Sequence, residues 1–96
     1  YSKTPFLSGA RGYADQGIFP GGAFDNKGHF EKNVQFDKNL DEPAQMLLFD
    51  PQTSGGLLLG VPRGKLEAFE KRARELGQPV WVIGEVGAGQ GIEVQL

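Results

Sequence analysis

The C-terminal part of the chain constrains the fold most, because it combines a strongly amphipathic helical pattern with short apolar segments. Four apolar residues recur at intervals of three or four positions and therefore share one helical face: Leu66, Phe69, Ala73 and Leu76. Gly77 suits a left-handed helix end, and Pro79 prevents the helix from continuing. The sequence therefore predicts a surface helix over Arg63–Leu76.

Three segments around this helix have the composition of β-strands. Gly56–Val61 is a short apolar run bounded by turn residues, as in strands that are buried on both faces. Val80–Val86 is β-branched and aromatic, and Ile92–Leu96 alternates apolar with polar residues. Gly87–Gly91, between these two, predicts a hairpin loop with residues at positive φ. The order strand–helix–strand–strand indicates a domain that combines helices with a sheet.

The first half of the chain is less regular. Pro5–Gln16 predicts a helix that stops at Gly17, although its internal glycines weaken the pattern. Phe19–Gly22 has the composition of a turn. His29–Glu42, the most polar segment, fits either a loop or a strand pair, and Met46–Phe49 is an apolar run of either type.

Composition excludes several classes of function. The chain has 96 residues, the size of one small domain or of part of one. It has no Cys and one His, which excludes thiolate metal sites, iron–sulfur clusters and multi-His sites within it. The net charge of −2 lacks the basic excess of a nucleic-acid or anionic-membrane binder. No apolar run reaches the ~18 residues of a membrane helix, and no leader pattern follows Tyr1, so we expect neither an anchor nor a signal peptide.

Two glycine-containing segments resemble nucleotide-binding motifs but lack the required context. Residues 60–66 are one residue too short for a P-loop and carry Leu66 where a metal-binding hydroxyl belongs. Gly87–Gly91 runs into a β-patterned segment, whereas a dinucleotide fingerprint must open a helix. His29 and the serines and threonines form no recognisable catalytic constellation. We therefore predict no catalytic residue and no metal ligand in this chain.

Residues 50–56 form the strongest candidate for a binding site. They combine a carboxylate, an amide, two hydroxyls and two glycines: Asp50, Gln52, Thr53, Ser54, Gly55 and Gly56. Thr53 and Ser54 can donate hydrogen bonds to an anion, and the glycines let backbone N–H groups approach it. The structural alternative is an Asp-Pro turn in which the hydroxyls bond to their own backbone.

Residues 20–26, Pro-Gly-Gly-Ala-Phe-Asp-Asn, form a second candidate. Gly21, Gly22 and Asn26 could line a phosphate, and a plain glycine-rich turn is the alternative.

Residues 47–58, Leu-Leu-Phe-Asp-Pro-Gln-Thr-Ser-Gly-Gly-Leu-Leu, resemble a signature of the selenophosphate synthetase family, also called selenide, water dikinase. Pro-Gly-Gly…Asn upstream and strand–helix–strand–hairpin downstream also follow that family. The resemblance covers most of the chain. It implies that residues 1–96 are a single partial domain, the later part of the C-terminal domain of the aminoimidazole-ribonucleotide-synthetase-like superfamily. The implied fold is α+β, with helices packed on one face of a mostly antiparallel or mixed sheet.

The resemblance also implies a function for the parent protein. The family converts ATP, selenide and water to selenophosphate, orthophosphate and AMP, with Mg²⁺, and its members are typically cytoplasmic homodimers. Its catalytic Cys or selenocysteine and its Mg-ATP-binding Asp residues lie in an N-terminal half that we expect to be the missing partner of this chain. The fragment alone should be inactive and bind no cofactor.

Individual residues inherit expectations from the same resemblance. Thr53, Ser54, Gly55 and Gly56 should face the cleft between the domains, with Asp50 and Gln52 bracing their loop. The loop then either helps to hold a phosphate or shapes the cleft. Ala23 stands where the family commonly has Thr, so Gly21, Gly22 and Asn26 remain as the second group.

Two other functions compete with this interpretation. One is a related enzyme of the superfamily, such as a hydrogenase-maturation carbamoyl dehydratase or a thiamine-monophosphate kinase. The other is a free-standing, non-catalytic dimerisation or binding module. If the chain is a truncated domain, as the resemblance implies, its sheet has unpaired edges and an uncovered apolar face, so we expect the fragment to associate with itself.

Overall fold

Helices and two short strands make up the regular structure, which the computed structural model describes for every residue from Tyr1 to Leu96. The elements in chain order are α1 (Ala10–Asp15), α2 (Gly21–Phe30), β1 (Val34–Phe36), α3 (Glu42–Leu47), α4 (Leu66–Glu75) and β2 (Ile92–Val94). Short 3₁₀ turns precede β1 and α4, at Glu31–Asn33 and Arg63–Lys65. The α+β class is therefore confirmed. None of the helices has the length and apolar character needed to cross a membrane.

The sheet consists of β1 and β2, which run parallel. Val34 lies opposite Ile92, and Phe36 lies opposite Val94. The prediction of a mostly antiparallel or mixed sheet was therefore wrong. Because α3 and α4 lie between the two strands in the chain, the connection is long enough for the crossover that parallel pairing requires.

The predicted hairpin at Gly87–Gly91 was also wrong. Ile92–Val94 is a strand as predicted, but its partner is β1 rather than the preceding segment. Gly89 and Gly91 do have positive φ angles, of 134° and 85°. The glycines therefore change the direction of the chain, but they bring β2 to β1 instead of folding it back against Val80–Val86.

Two other predicted strands, Gly56–Val61 and Val80–Val86, join no sheet. Neither makes a backbone–backbone hydrogen bond. Their apolar side chains are exposed: Leu57 to 88%, and the single tryptophan, Trp81, to 57%. Strands that are apolar on both faces form only between two covering layers. This chain places no layer over either segment.

The predicted C-terminal helix is confirmed as α4 with a 3₁₀ first turn. Gly77 has a φ of 65°, and the N–H of Gln78 donates to the carbonyl of Ala73 at 2.8 Å. The N–H of Gly77 also donates to the carbonyl of Arg74, at 3.0 Å. These two bonds form a Schellman motif, which satisfies carbonyls that a helix end leaves free.

The N-terminal predictions were less accurate. The helix expected over Pro5–Gln16 is only Ala10–Asp15, because Gly9, with φ of 85°, stands directly before it. The turn predicted at Phe19–Gly22 gives way to α2, which begins at Gly21. Of the alternatives for the polar segment at residues 29–42, a single strand forms rather than a pair, and Met46 and Leu47 close α3.

Seven side chains are buried, and four of them are alanines: Ala14, Ala23, Leu40, Ala44, Met46, Phe49 and Ala73. The first five lie in the first three helices or just before α3, Phe49 lies two residues after α3, and Ala73 lies in α4. The ring of Phe49 meets that of Phe36 edge to face, with centroids 5.9 Å apart, and thereby connects the end of α3 to the sheet.

Candidate functional site

The two predicted binding segments lie next to each other. Asn26 Nδ2 donates a hydrogen bond of 2.9 Å to the carbonyl of Phe49, the residue that precedes Asp50. A Cβ atom placed on Gly22 would lie 3.0 Å from Cγ of Pro51. The first turns of α2 therefore pack against the start of the loop at residues 50–56.

Within this loop, the first residues contact one another. The side-chain amide of Gln52 donates to the carboxylate of Asp50. Gly55 approaches Gln52 so closely that an added Cβ would lie 3.2 Å from Cβ of that residue. The loop therefore bends back over Gln52 before it reaches the apolar segment.

The donors of the loop are free. Residues 52–56 are exposed, and the hydroxyls of Thr53 and Ser54 make no hydrogen bond within the chain. Gly21 is also exposed, with nothing within 4 Å of the position of a Cβ. The start of α2 carries the positive end of a ten-residue helix dipole. The arrangement can therefore present hydroxyl and backbone N–H donors to an anion.

Charged groups stabilise the start of α3, the helix that precedes the loop in the chain. Asp41 caps α3 by accepting a hydrogen bond of 3.0 Å from the N–H of Ala44, and its carboxylate pairs with Arg11 at 2.5 Å. The Arg11 guanidinium, and secondly the Ala44 N–H, hold the pKa of Asp41 below its usual range. The same pairing, with a further contribution from Asp15, raises the pKa of Arg11. On the other side, Lys27 of α2 pairs with Glu42 at 3.1 Å.

The structure contains no group of three or more His, Asp or Glu side chains that could hold a metal ion. The carboxylate in the loop, Asp50, has Gln52 as its partner. The hydroxyls and backbone N–H groups of the loop can donate hydrogen bonds to an anion.

Sequence reasoning did not foresee that the two segments meet. The signal was present in the spacing of Gly22 and Asn26, which lie four residues apart and so share one face of a helix. Interpreting Phe19–Gly22 as a turn concealed that relation.

Comparison with known proteins identifies the family. A profile of the C-terminal domain of AIR synthase related proteins matches residues 21–96, beginning where α2 begins. The chain belongs to this family. Within AIR synthase related proteins, the resemblance to selenophosphate synthetase is confirmed by the relatives described next.

Several relatives carry the name selenide, water dikinase. The protein of Myxococcus xanthus (strain DK1622) is 38% identical over 93 residues, which are 96% of this chain and 26% of that relative. The protein of Pseudomonas aeruginosa is 40% identical over 97 aligned positions, 100% of this chain and 27% of the relative. That of Clostridium botulinum (strain Alaska E43 / Type E3) is 35% identical over 83 residues, 86% of this chain and 24% of the relative. The chain thus spans about a quarter of the length of these relatives.

Proposed function

We propose that this chain is the later part of the C-terminal domain of an ATP-dependent phosphotransferase that makes selenophosphate from selenide, ATP and water. Relatives named selenide, water dikinase support this, since they match nearly the whole chain. In this proposal the 96 residues are a single partial domain and are inactive alone. The parent enzyme acts in the cytoplasm as a homodimer, without nucleic-acid or membrane partners.

One observation carries the proposed role of the site: the start of α2 packs against a loop whose hydroxyls are free. Phosphoryl transfer depends mainly on positioning and on stabilising charge, and both need donors aimed at phosphate oxygens. In our proposal, Thr53 and Ser54 donate to a phosphate of ATP. Gly55 and Gly56 bring backbone N–H groups close to it, and Gln52 with Asp50 braces the loop.

The residues of this chain suit the phosphates of ATP better than they suit Mg²⁺. The donors of the loop suit a phosphate group, so the ATP phosphates are the part of the substrate that we assign to it. No cluster of carboxylates suits Mg²⁺ here. We therefore assign the metal, and the attack on phosphorus, to the missing N-terminal half of the parent protein.

The exposed apolar segments support a missing partner of this kind. Leu57 and Trp81 are more than half exposed, and Gly56–Val61 and Val80–Val86 lack backbone hydrogen bonds. In a folded domain, backbone N–H and C=O groups are normally hydrogen-bonded, and large apolar surfaces are normally covered. In the parent enzyme, we propose that the other half of the protein covers them.

Replacing both hydroxyls in the intact parent enzyme tests the role of the loop. Thr53→Ala with Ser54→Ala should lower kcat/KM for ATP by about tenfold or more per lost bond, since a hydrogen bond to a charged group contributes about 1.5–3 kcal/mol. Ser8→Ala, another exposed serine, is the control and should leave kcat/KM unchanged. Unchanged kcat/KM and nucleotide affinity in the double variant would eliminate the contact role.

A further inference from the structure

The loop at residues 50–56 leaves the core beside one face of α2. Gly22 and Asn26 are four residues apart and therefore share this face, and Ala23 lies three residues before Asn26, at the side of the same face. Ala23 is completely buried, so the face is fixed against the rest of the molecule. The contacts of Gly22 and Asn26 with the loop are thus made from a rigid support.

Asn26 supplies a donor to the chain just beyond the end of α3. Phe49 lies just beyond the end of α3, its N–H donates to the carbonyl of Met46, and its own carbonyl accepts from Asn26 Nδ2 at 2.9 Å. This bond is partly buried, and it uses one of the two N–H donors of the Asn26 amide.

Gly22 supplies the second point of contact. Its missing side chain leaves the space that Pro51 fills, since an added Cβ would lie 3.0 Å from Pro51 Cγ and 3.4 Å from Pro51 Cβ. Because Pro51 has a fixed φ, the direction of the chain after Asp50 follows from where this ring is seated. Two contacts, at Phe49 and at Pro51, therefore fix the origin of the loop.

We infer that Asn26 and Gly22 are positioning residues, which set where the hydroxyls of Thr53 and Ser54 lie. The importance of this for catalysis rests on the proposed function, whereas the coupling between α2 and the loop does not. Asn26, which the sequence offered as a candidate phosphate ligand, acts on the loop through its bond to Phe49.

Order parameters from ¹⁵N relaxation of the 96-residue chain test this coupling without a ligand. In Asn26→Ala and Asn26→Asp, the values for residues 52–56 should fall below those of the wild-type chain, toward the ~0.6 of flexible backbone. The aspartate is nearly isosteric but, when ionised, has no donor for the Phe49 carbonyl. Asn26→Gln keeps the donor and should restore part of the order.

Gly22→Ala perturbs the same loop through the other contact, and it serves as the test if the Asn26 variants do not fold. Gly28→Ala is the matched control, because it lies in the same helix with nothing within 4 Å of an added Cβ. A fall confined to residues 52–56 in the test variants, absent from the control, supports the positioning role. Unchanged order, or an equal fall in α4, overturns it.

Activity of the intact parent enzyme separates this inference from the proposed function. If the proposed function also holds, Asn26→Ala should lower kcat/KM for ATP but add little to the loss already caused by replacing Thr53 and Ser54. Altered loop order with unchanged activity would refute the phosphate role and leave the positioning role intact. Unaltered loop order would refute the positioning role whatever the activity.

Discussion

Gly91 offers the sharpest test of the structure, because two independent constraints meet at this residue. Its φ of 85° lies in the left-handed region, and an added Cβ would lie 2.7 Å from the carbonyl oxygen of Asn33. Both residues directly precede the paired strands, at Val34 and Ile92. Gly91→Ala should therefore separate β1 and β2 at the point where their pairing begins.

The expected destabilisation follows from these two constraints. An L-residue in the left-handed region costs roughly 1–2 kcal/mol. Because the clash is with backbone, it is relieved only by moving one strand, which sacrifices about one or two hydrogen bonds of ~1 kcal/mol each. The sum is about 2–4 kcal/mol. For a chain of this size, that lowers the thermal midpoint by roughly 8–32 °C.

Two other glycines of the same segment are matched controls. Gly89 has a positive φ of 134° but nothing within 4 Å of an added Cβ, and Gly87 has neither constraint. Thermal unfolding followed by circular dichroism should rank the alanine variants Gly91, Gly89 and Gly87 in decreasing order of destabilisation. If Gly91→Ala destabilised no more than Gly89→Ala, the close approach to Asn33 would be refuted. If all three variants matched the wild type, the parallel pairing itself would be refuted.

Two further predictions concern the charged cap and the exposed segments. Because Arg11 and the Ala44 N–H depress the pKa of Asp41, its ionised form stabilises the fold above the ordinary aspartate pKa, and this contribution is lost as the pH falls through the depressed value. The control is Asp41→Asn, whose amide still caps α3 but carries no charge. Thermal midpoints of the wild type and this variant, measured from pH 7 down to pH 2, should therefore converge below about pH 4. A difference that stays constant with pH would contradict an ion-pair origin. Trp81 is the only tryptophan and is 57% exposed, so acrylamide should strongly quench its fluorescence in this chain. In the full-length parent its fluorescence should have a shorter emission wavelength. Identical spectra in both proteins would argue against a covering partner.

Local patterns were sufficient for part of this structure. The spacing of the apolar residues of α4, together with Gly77 and Pro79, predicted a helix and its end, and the structure has both. Alternation likewise predicted the strand that became β2. These features depend on residues within one or two turns of each other, so the sequence contains all the information they require.

Other elements were mispredicted because distant residues decide them. Gly21 and Gly22 favoured a turn, yet they begin α2, whose Ala23 is buried against the core. Val80–Val86 has the composition of a strand, but β2 pairs with β1 instead. Tertiary burial and pairing outweigh local propensities that amount to about 1 kcal/mol per residue.

For the candidate site, too, local sequence predicted some features and tertiary contacts decided others. The sequence by itself determined which polar groups are present, and the hydroxyls, glycines and amide of residues 50–56 and 20–26 are the basis on which we predict an anion site; their order indicates the family. Only the tertiary structure decided that Asn26 holds the Phe49 carbonyl and that Gly22 receives Pro51. Residue type is local, whereas contact between segments more than twenty residues apart depends on how the intervening helices pack.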